Sequence, residues 1–272
     1  MVQQRVGSYH IKPYSKHRRN IELVVHEGWK KHSTHTLLEL DVTTARTLLF
    51  AYKDKTGNSL SFTGWIIKCV AQAASEHPII NAYRHGRKKI VTFEDVDIPI
   101  PIERKINGEY IPMAYIVRTA NLKSVEDITT EIRSALKESV DTKSQVLGKP
   151  LTLFEKTALY SPTFLQKLII ALVRRNSFVR KKHMGTIGVT AIGMKGRFPA
   201  WVVPLGGTIS ALIVVGGIEK KPGVVQDKIV IREYLHLTLT TDHDLIDGGP
   251  LVRFTERFIE LIETGFGIPK IN

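Results

Sequence analysis

One cysteine, Cys69, stands among the 272 residues, so a disulfide within the chain is excluded. It lies in WIIKCVAQAA, and those apolar surroundings raise a thiol pKa. Cys69 therefore reads as a small buried hydrophobe and not as a nucleophile. Long apolar runs are missing too. The longest dense one is LIIALV at 168–173, far short of the ~20 residues a membrane span requires. The first residues, MVQQRVGSYHIKPYSKHRRN, are polar and basic and lack the apolar stretch of a secretory leader. The expected compartment is a reducing cytoplasm, with no membrane association. No repeat or low-complexity tether divides the chain, so residues 1–272 are read as one catalytic-size domain.

Acidic residues are scarce: 26 Asp and Glu face 39 Lys and Arg, a net charge of +13. That balance favours anionic partners by long-range attraction. The cations come in short clusters, KHRR at 16–19, RHGRKK at 84–89, RR at 174–175, RKK at 180–182 and KK at 220–221. No zinc spacing, helix-turn-helix pattern or glycine-aromatic signature accompanies them, so nucleic acid is not the expected partner. RHGRKK could meet phosphates, and a solvated basic loop explains it as well. His35, His77, His85 and His236 have no companion at metal-ligand spacing and read as surface or satisfied structural side chains; no metal is expected.

What is present is a mixture of strand and helix signals. THTLLELDV (34–42) alternates as a strand, TTARTLLFAYKDKTG (43–57) has a threonine to cap a helix and a glycine to end it, and 61–78 is an apolar helix stopped by Pro78. Residues 88–102 look extended, with two prolines that mark an edge, and 109–117 reads as a strand. Ser124 and Asp127 open a helix over 124–139 in the manner of a capping box. Ser161 as N-cap and Pro162 at the first helical position open another over 161–176. Three β-branched strands follow at 185–193, 208–219 and 228–240, then an amphipathic helix at 250–263. Without strict alternation of strand and helix, the expected fold class is α/β, a two-layer sandwich with a mixed β-sheet.

Between the last strand and the last helix stands TDHDLIDGG, residues 241–249. A turn whose Asp247 caps the helix and whose Gly248 supplies positive φ is one reading of it. The other is chemical: a neutral histidine suits a general base at neutral pH. A carboxylate one helical turn later could pair with an arginine and fix the loop, and a hydroxyl donor elsewhere could stabilise an oxyanion.

Four blocks in order bear on that choice. FTGWIIKCVAQAASEHPIINA, VDIPIPIERKINGEYIPMAYIVRTANLKSVEDITTEI, GTIGVTAIGMKGRFPAWVVPLGGTISALIVVGGIEKKP and LTLTTDHDLIDGGPLVRFTERFIELIE together resemble the catalytic domain of the dihydrolipoamide acyltransferases of 2-oxo acid dehydrogenase complexes. The series runs from about residue 10 to 264, and the superfamily includes the chloramphenicol acetyltransferases, whose fold is then expected. The resemblance implies that His243 is the general base, that Thr190 is the oxyanion donor, and that Asp247 is a structural residue paired with Arg18, with Arg19 the alternative by one register step. Gly248 completes the motif. Thr190 also reads as an ordinary β-branched strand residue.

The implied activity is transfer of an acyl group between coenzyme A and a dihydrolipoyl thiol, in a channel between the subunits of a homotrimer. The family's lipoyl and subunit-binding domains are not among these residues, so the lipoyl group is expected in trans, on a separate lipoyl-domain protein. Asp244 stands where these acyltransferases carry arginine, which leaves acetylation of a small hydroxyl acceptor open. A non-catalytic scaffold of the same fold, binding acidic partners through its basic surface, is the alternative of another class. GFGIPKIN is short and polar beside the apolar tail that joins family trimers into cubic cores, so an isolated trimer is expected.

Overall fold

The computed structural model describes residues 7–11, 13–106, 109–137, 152–193 and 199–270. In chain order the elements are α1 (Lys16–Gly28), β1 (Ser33–Asp41), α2 (Thr43–Thr56), α3 (Phe62–Glu76), β2 (Ala82–His85), β3 (Lys89–Thr92), β4 (Ile98–Ile106) and β5 (Glu109–Val117). They continue with α4 (Val125–Lys137), α5 (Leu153–Tyr160), α6 (Thr163–Arg175), α7 (Ser177–Met184), β6 (Ile187–Ala191), β7 (Ala211–Val225), β8 (Lys228–Asp242) and α8 (Gly248–Glu263).

The main sheet has the order β1-β8-β7-β6 and is mixed: β6 runs parallel to β7, and the other pairs are antiparallel. One face is apolar because every second residue of each strand points to it. Val189 on β6, Ile213 and Val215 on β7, and Leu235, Leu237 and Leu239 on β8 join one core with Trp65 and Ile66 of α3 and with Phe254 and Phe258 of α8. The α/β sandwich with a mixed sheet is therefore the observed architecture. β4 and β5 form a separate two-stranded ribbon, and so do β2 and β3. Pro99 and Pro101 lie in β4, which pairs only with β5 among the described residues, as the edge reading requires. Ile98, Ile100 and Ile102 alternate with those prolines and are buried.

β7 and β8 are each 15 residues long and shift register between Val215 and Ile218. A Cβ at Gly216 would lie 2.3 Å from the Ala200 carbonyl oxygen, so only glycine fits this irregularity. Beyond it the two strands continue as a ribbon whose Val224, Ile229 and Ile231 are exposed.

Several element ends carry the local signals that the sequence shows. Gly57 closes α2 at φ 71°, and Ser61 caps α3 by accepting a hydrogen bond from the Gly64 N–H. Ser124 and Asp127 bond each other reciprocally, the Ser124 N–H donating to the carboxylate at 3.1 Å and the Asp127 N–H to the hydroxyl at 3.1 Å. Others moved by a residue. Val42, not Thr43, is the N-cap of α2. Pro162 occupies the N-cap of α6, while Ser161 ends α5. The 88–102 stretch divides into β3 and β4, and residues 138–139 of the expected helix lie outside the described residues. Three helices, α1, α5 and α7, had no counterpart in the sequence reading, because their charged, short segments lack a long apolar period. Among the described residues no helix is long and apolar enough to cross a membrane.

Candidate active site

β8 delivers the H-x-x-x-D-G motif to the end of the sheet. The strand finishes at Asp242, whose N–H donates to the Ser210 carbonyl at 2.9 Å. The chain then turns, with the N–H groups of Leu245 and Ile246 donating to the Asp242 carbonyl at 3.0 Å. Ile246 is buried and pins the turn to the core; His243, Asp244 and Asp247 are exposed. Asp247 is the N-cap residue of α8 by backbone geometry, yet its carboxylate makes no capping hydrogen bond. Gly248 has no positive φ, and a Cβ there would meet nothing within 4 Å. The two local explanations for this pair, capping and backbone freedom, therefore do not account for it.

The turn is fastened to the segment that follows α1. The His243 N–H donates to the His32 carbonyl at 2.8 Å. On either side of that bond the side chains pair: Lys31 with Asp242 at 3.2 Å, and His32 Nδ1 with Asp244 Oδ1 at 2.7 Å. Lys31 also donates to the Ile209 carbonyl. α1 ends against the 205–207 segment, where a Cβ on Gly28 would stand 2.5 Å from the Leu205 carbonyl oxygen. These contacts set the local electrostatics. Burial and the neighbouring Arg180 push the Lys31 pKa down to about 8, against the opposing pull of Asp242 and Asp244. The Asp244 carboxylate, accepting a hydrogen bond from the exposed His32, raises the pKa of that imidazole.

Thr190 is half-buried on β6, on the sheet face opposite the helices, beside Val214 and Thr238 at the same level. That level is five residues short of His243 along β8 and two strands away. At ~4.8 Å per strand and ~3.3 Å per residue, the two residues of one chain stand roughly 20 Å apart. They are not brought together within the chain. Arg18 is exposed in the first turn of α1, where its N–H donates to the Ser15 hydroxyl at 3.3 Å. The expected Arg18–Asp247 ion pair is not among those formed by the described residues, and Arg19 is exposed as well.

The remaining candidates resolve simply. His236 is buried, 3.2 Å from the Gly217 carbonyl and against the Trp201 ring; His35 meets the Thr240 hydroxyl at 2.9 Å, and His85 meets the Ser177 hydroxyl at 2.9 Å. Cys69 is fully buried, and burial raises its thiol pKa. Asn81, in the PIINA block, is a structural lock: its side-chain amide donates to the carbonyls of Phe93 at 2.7 Å and Asp95 at 3.0 Å. Sequence reasoning missed Lys31, His32 and Asp242, which hold the turn. The KKH run before β1 is the trace of the first two, and Asp242 stands inside the 241–249 motif.

The family model of the 2-oxoacid dehydrogenases acyltransferase (catalytic domain) matches residues 7–148 and 169–266. The lipoamide acyltransferase component of the branched-chain alpha-keto acid dehydrogenase complex of Bacillus subtilis (strain 168) is 25% identical over 234 residues, covering 84% of this chain and 46% of that one. The chain thus spans less than half the length of that relative. A crystallographic structure of the Azotobacter vinelandii dihydrolipoamide acetyltransferase superposes with a TM-score of 0.69 at 17% identity, over 94% of this chain and 92% of that one. A chloramphenicol acetyltransferase superposes at 0.51 and 17%, over 90% and 94%. At these identities the likeness is one of fold. Matched by its family model over most of its length, the chain belongs to the acyltransferase (catalytic domain) family of the 2-oxoacid dehydrogenases.

Proposed function

We propose that the chain transfers an acyl group between coenzyme A and a dihydrolipoyl thiol carried by another polypeptide, and that it works as a homotrimer with its sites between copies. One observation carries the reading. His243 is exposed on a turn fixed by three contacts with Lys31 and His32, while Thr190 of the same chain is roughly 20 Å away by sheet geometry. Only the Thr190 of a second copy could then approach the reacting carbonyl beside His243. Asp247 and Gly248, unexplained by their own chain, fit a role at that junction, with Arg18 as the partner proposed for Asp247. The proposed compartment is the cytoplasm.

The chemistry is direct transfer. The imidazole of His243 takes the proton of the acceptor thiol as its sulfur attacks the thioester carbonyl. The Thr190 hydroxyl donates to the resulting oxyanion. Collapse breaks the bond to the CoA sulfur, which takes the proton back from the imidazolium. Transfer from CoA to lipoyl and the reverse use the same groups.

The test is a panel of acyl-CoAs with free dihydrolipoamide, monitored by thiol release. Two inactive variants, His243→Ala and Thr190→Val, should regain activity when refolded together, since a mixed trimer contains junctions with both native residues. No recovery in verified mixed trimers removes the shared site. Sedimentation as a monomer, or as a 24-mer, contradicts the isolated trimer. An absence of saturable CoA binding would leave the scaffold reading.

A second reading rests on Asp244. Its carboxylate, bonded to His32, adjoins the base where the resembling enzymes have arginine. Turnover of small hydroxyl acceptors with dihydrolipoamide silent would support acetylation of a hydroxyl.

A further inference from the structure

A cavity of ≈ 530 Å³ lies behind the His243 turn, between the end of α1, the β2–β3 turn and the α6–α7 pair. That volume is within the range of small-molecule sites, ~300–1,000 Å³. Its lining includes a buried arginine, a lysine nearly withdrawn from water and one carboxylate. Arg180 is 6% exposed, lies over the Tyr83 ring at 3.9 Å and donates to the Thr208 carbonyl. Lys31 sits beside it, and Asp242 is the carboxylate both of them sense. Arg84, Arg87, Arg174 and Arg175 line the remainder, with Lys30, Glu27 and Asp244. Seven cations therefore face three acids among the described lining residues. Glu27 is engaged by Lys30 and Arg174, and Asp244 by His32, so little negative charge remains for the others. One wall is apolar, formed by Ile170, Val173, Met184 and Leu245.

Two cations removed from water and sharing one carboxylate repel each other more strongly than they would at the surface. Burial first, and the neighbouring Arg180 second, lower the Lys31 pKa to about 8 although Asp242 and Asp244 pull the other way. An anion entering the cavity would relieve that repulsion, and arginine is the side chain best suited to grip phosphate oxygens in pairs. A single phosphate would leave most of the volume and most of the charge unmatched. We propose that this cavity binds a phosphorylated organic molecule, a diphosphate group lying over Lys31 and Arg180 and among the rim arginines, and the organic part against the Ile170–Leu245 wall.

The site does not depend on acyl transfer being the activity. A nucleotide ligand and the diphosphate of CoA share the required chemistry.

The test is titration calorimetry with ADP-ribose, whose diphosphate diester keeps a constant charge from about pH 7 to about pH 9. Saturable binding is expected, weakened about tenfold or more by Arg84→Gln with Arg87→Gln, the first on β2 and the second on the turn after it, both with exposed side chains outside the core. Affinity should fall several-fold as pH rises through about 8, where Lys31 loses its proton. The groups facing Lys31 in that window are Asp242, Asp244 with His32, Arg180, Tyr83, Glu27, Lys30 and Arg174. The His243→Ala protein should bind ADP-ribose as the native one does, which separates this site from the proposed catalysis. Competition by CoA would identify the acyl donor as the natural source; binding unaffected by CoA would identify a second ligand. No ADP-ribose binding, equal binding by the double variant, or capture of RNA alone with steep salt dependence would overturn the proposal.

Discussion

The two faces of the main sheet meet different surroundings. On one, Ile213, Val215, Leu235, Leu237 and Leu239 are fully covered and share a core with α3 and α8. On the other, Thr238, Thr240 and His236 are just as buried, yet they lie under the 199–207 segment, with Trp201 against His236 and Gly206 near Thr240. Toward the β1 edge that same face opens to solvent at His35, Leu37 and Glu39, and toward β6 it carries Thr190. The hydroxyl group of Thr238 is buried without a hydrogen-bond partner among the described residues. Along the middle of β8 burial is thus equal on the two faces while chemistry is not. One face is filled by apolar side chains, and the other retains buried polar groups, of which the Thr238 hydroxyl has no partner among the described residues.

The largest effects should separate the faces. Trp65→Ala on the helix side removes a fully buried indole that also donates to the Phe266 carbonyl at 2.9 Å; a loss of about 3–5 kcal/mol in denaturant unfolding is expected. His243→Ala should leave the unfolding midpoint unchanged and lower turnover by ~10²–10⁴, the range for a general base. Equal turnover in native and variant would sink the catalytic assignment. Thr190→Val should also fold normally and cost ~10²–10³ in kcat, the range for a lost oxyanion donor. If only KM moved, Thr190 would be a binding residue and not an oxyanion donor.

Thr238→Val is the smaller test. Removing a buried, unpartnered hydroxyl without changing shape should be neutral or stabilising by about 1 kcal/mol. Clear destabilisation would mean that the hydroxyl has a partner, which the assembled protein would have to supply. Smallest of all is the His32–Asp244 link. Asp244 raises the His32 pKa above its ordinary value of 6.5. The folded protein then holds that proton more tightly than the unfolded chain. The link's contribution is complete below the ordinary value and fades as pH rises through the raised one. NMR titration should show the His32 midpoint falling back when Asp244 is changed to Asn; an unchanged midpoint would show that the pair does not form in solution.

The fold was legible in the sequence wherever a period and a terminus coincided. α3, α8 and the strands β6, β7 and β8 all show this, because alternation and helical spacing are local properties. The charged α1 is not legible, and that matters: the segment that follows it supplies Lys31 and His32 to the turn. The motif at 241–249 was legible as a pattern, and its family was legible from the order of four blocks. Its geometry was not. Sequence reading paired Asp247 with Arg18, whereas the side chains bracketing His243 are tied instead to Lys31 and His32.

By itself, the sequence determined which residues alternate, where helices start and stop, and that His243 lies on a strand-to-helix turn. Tertiary structure alone decided that the turn is fastened to a segment 212 positions earlier, that Thr190 lies two strands from β8, and that dispersed cations converge on one cavity. The physical reason is range. Propensity and period act over a few residues, whereas the pairing of β1 with β8 and the burial of Lys31 beside Arg180 depend on strand order and on what the core leaves uncovered.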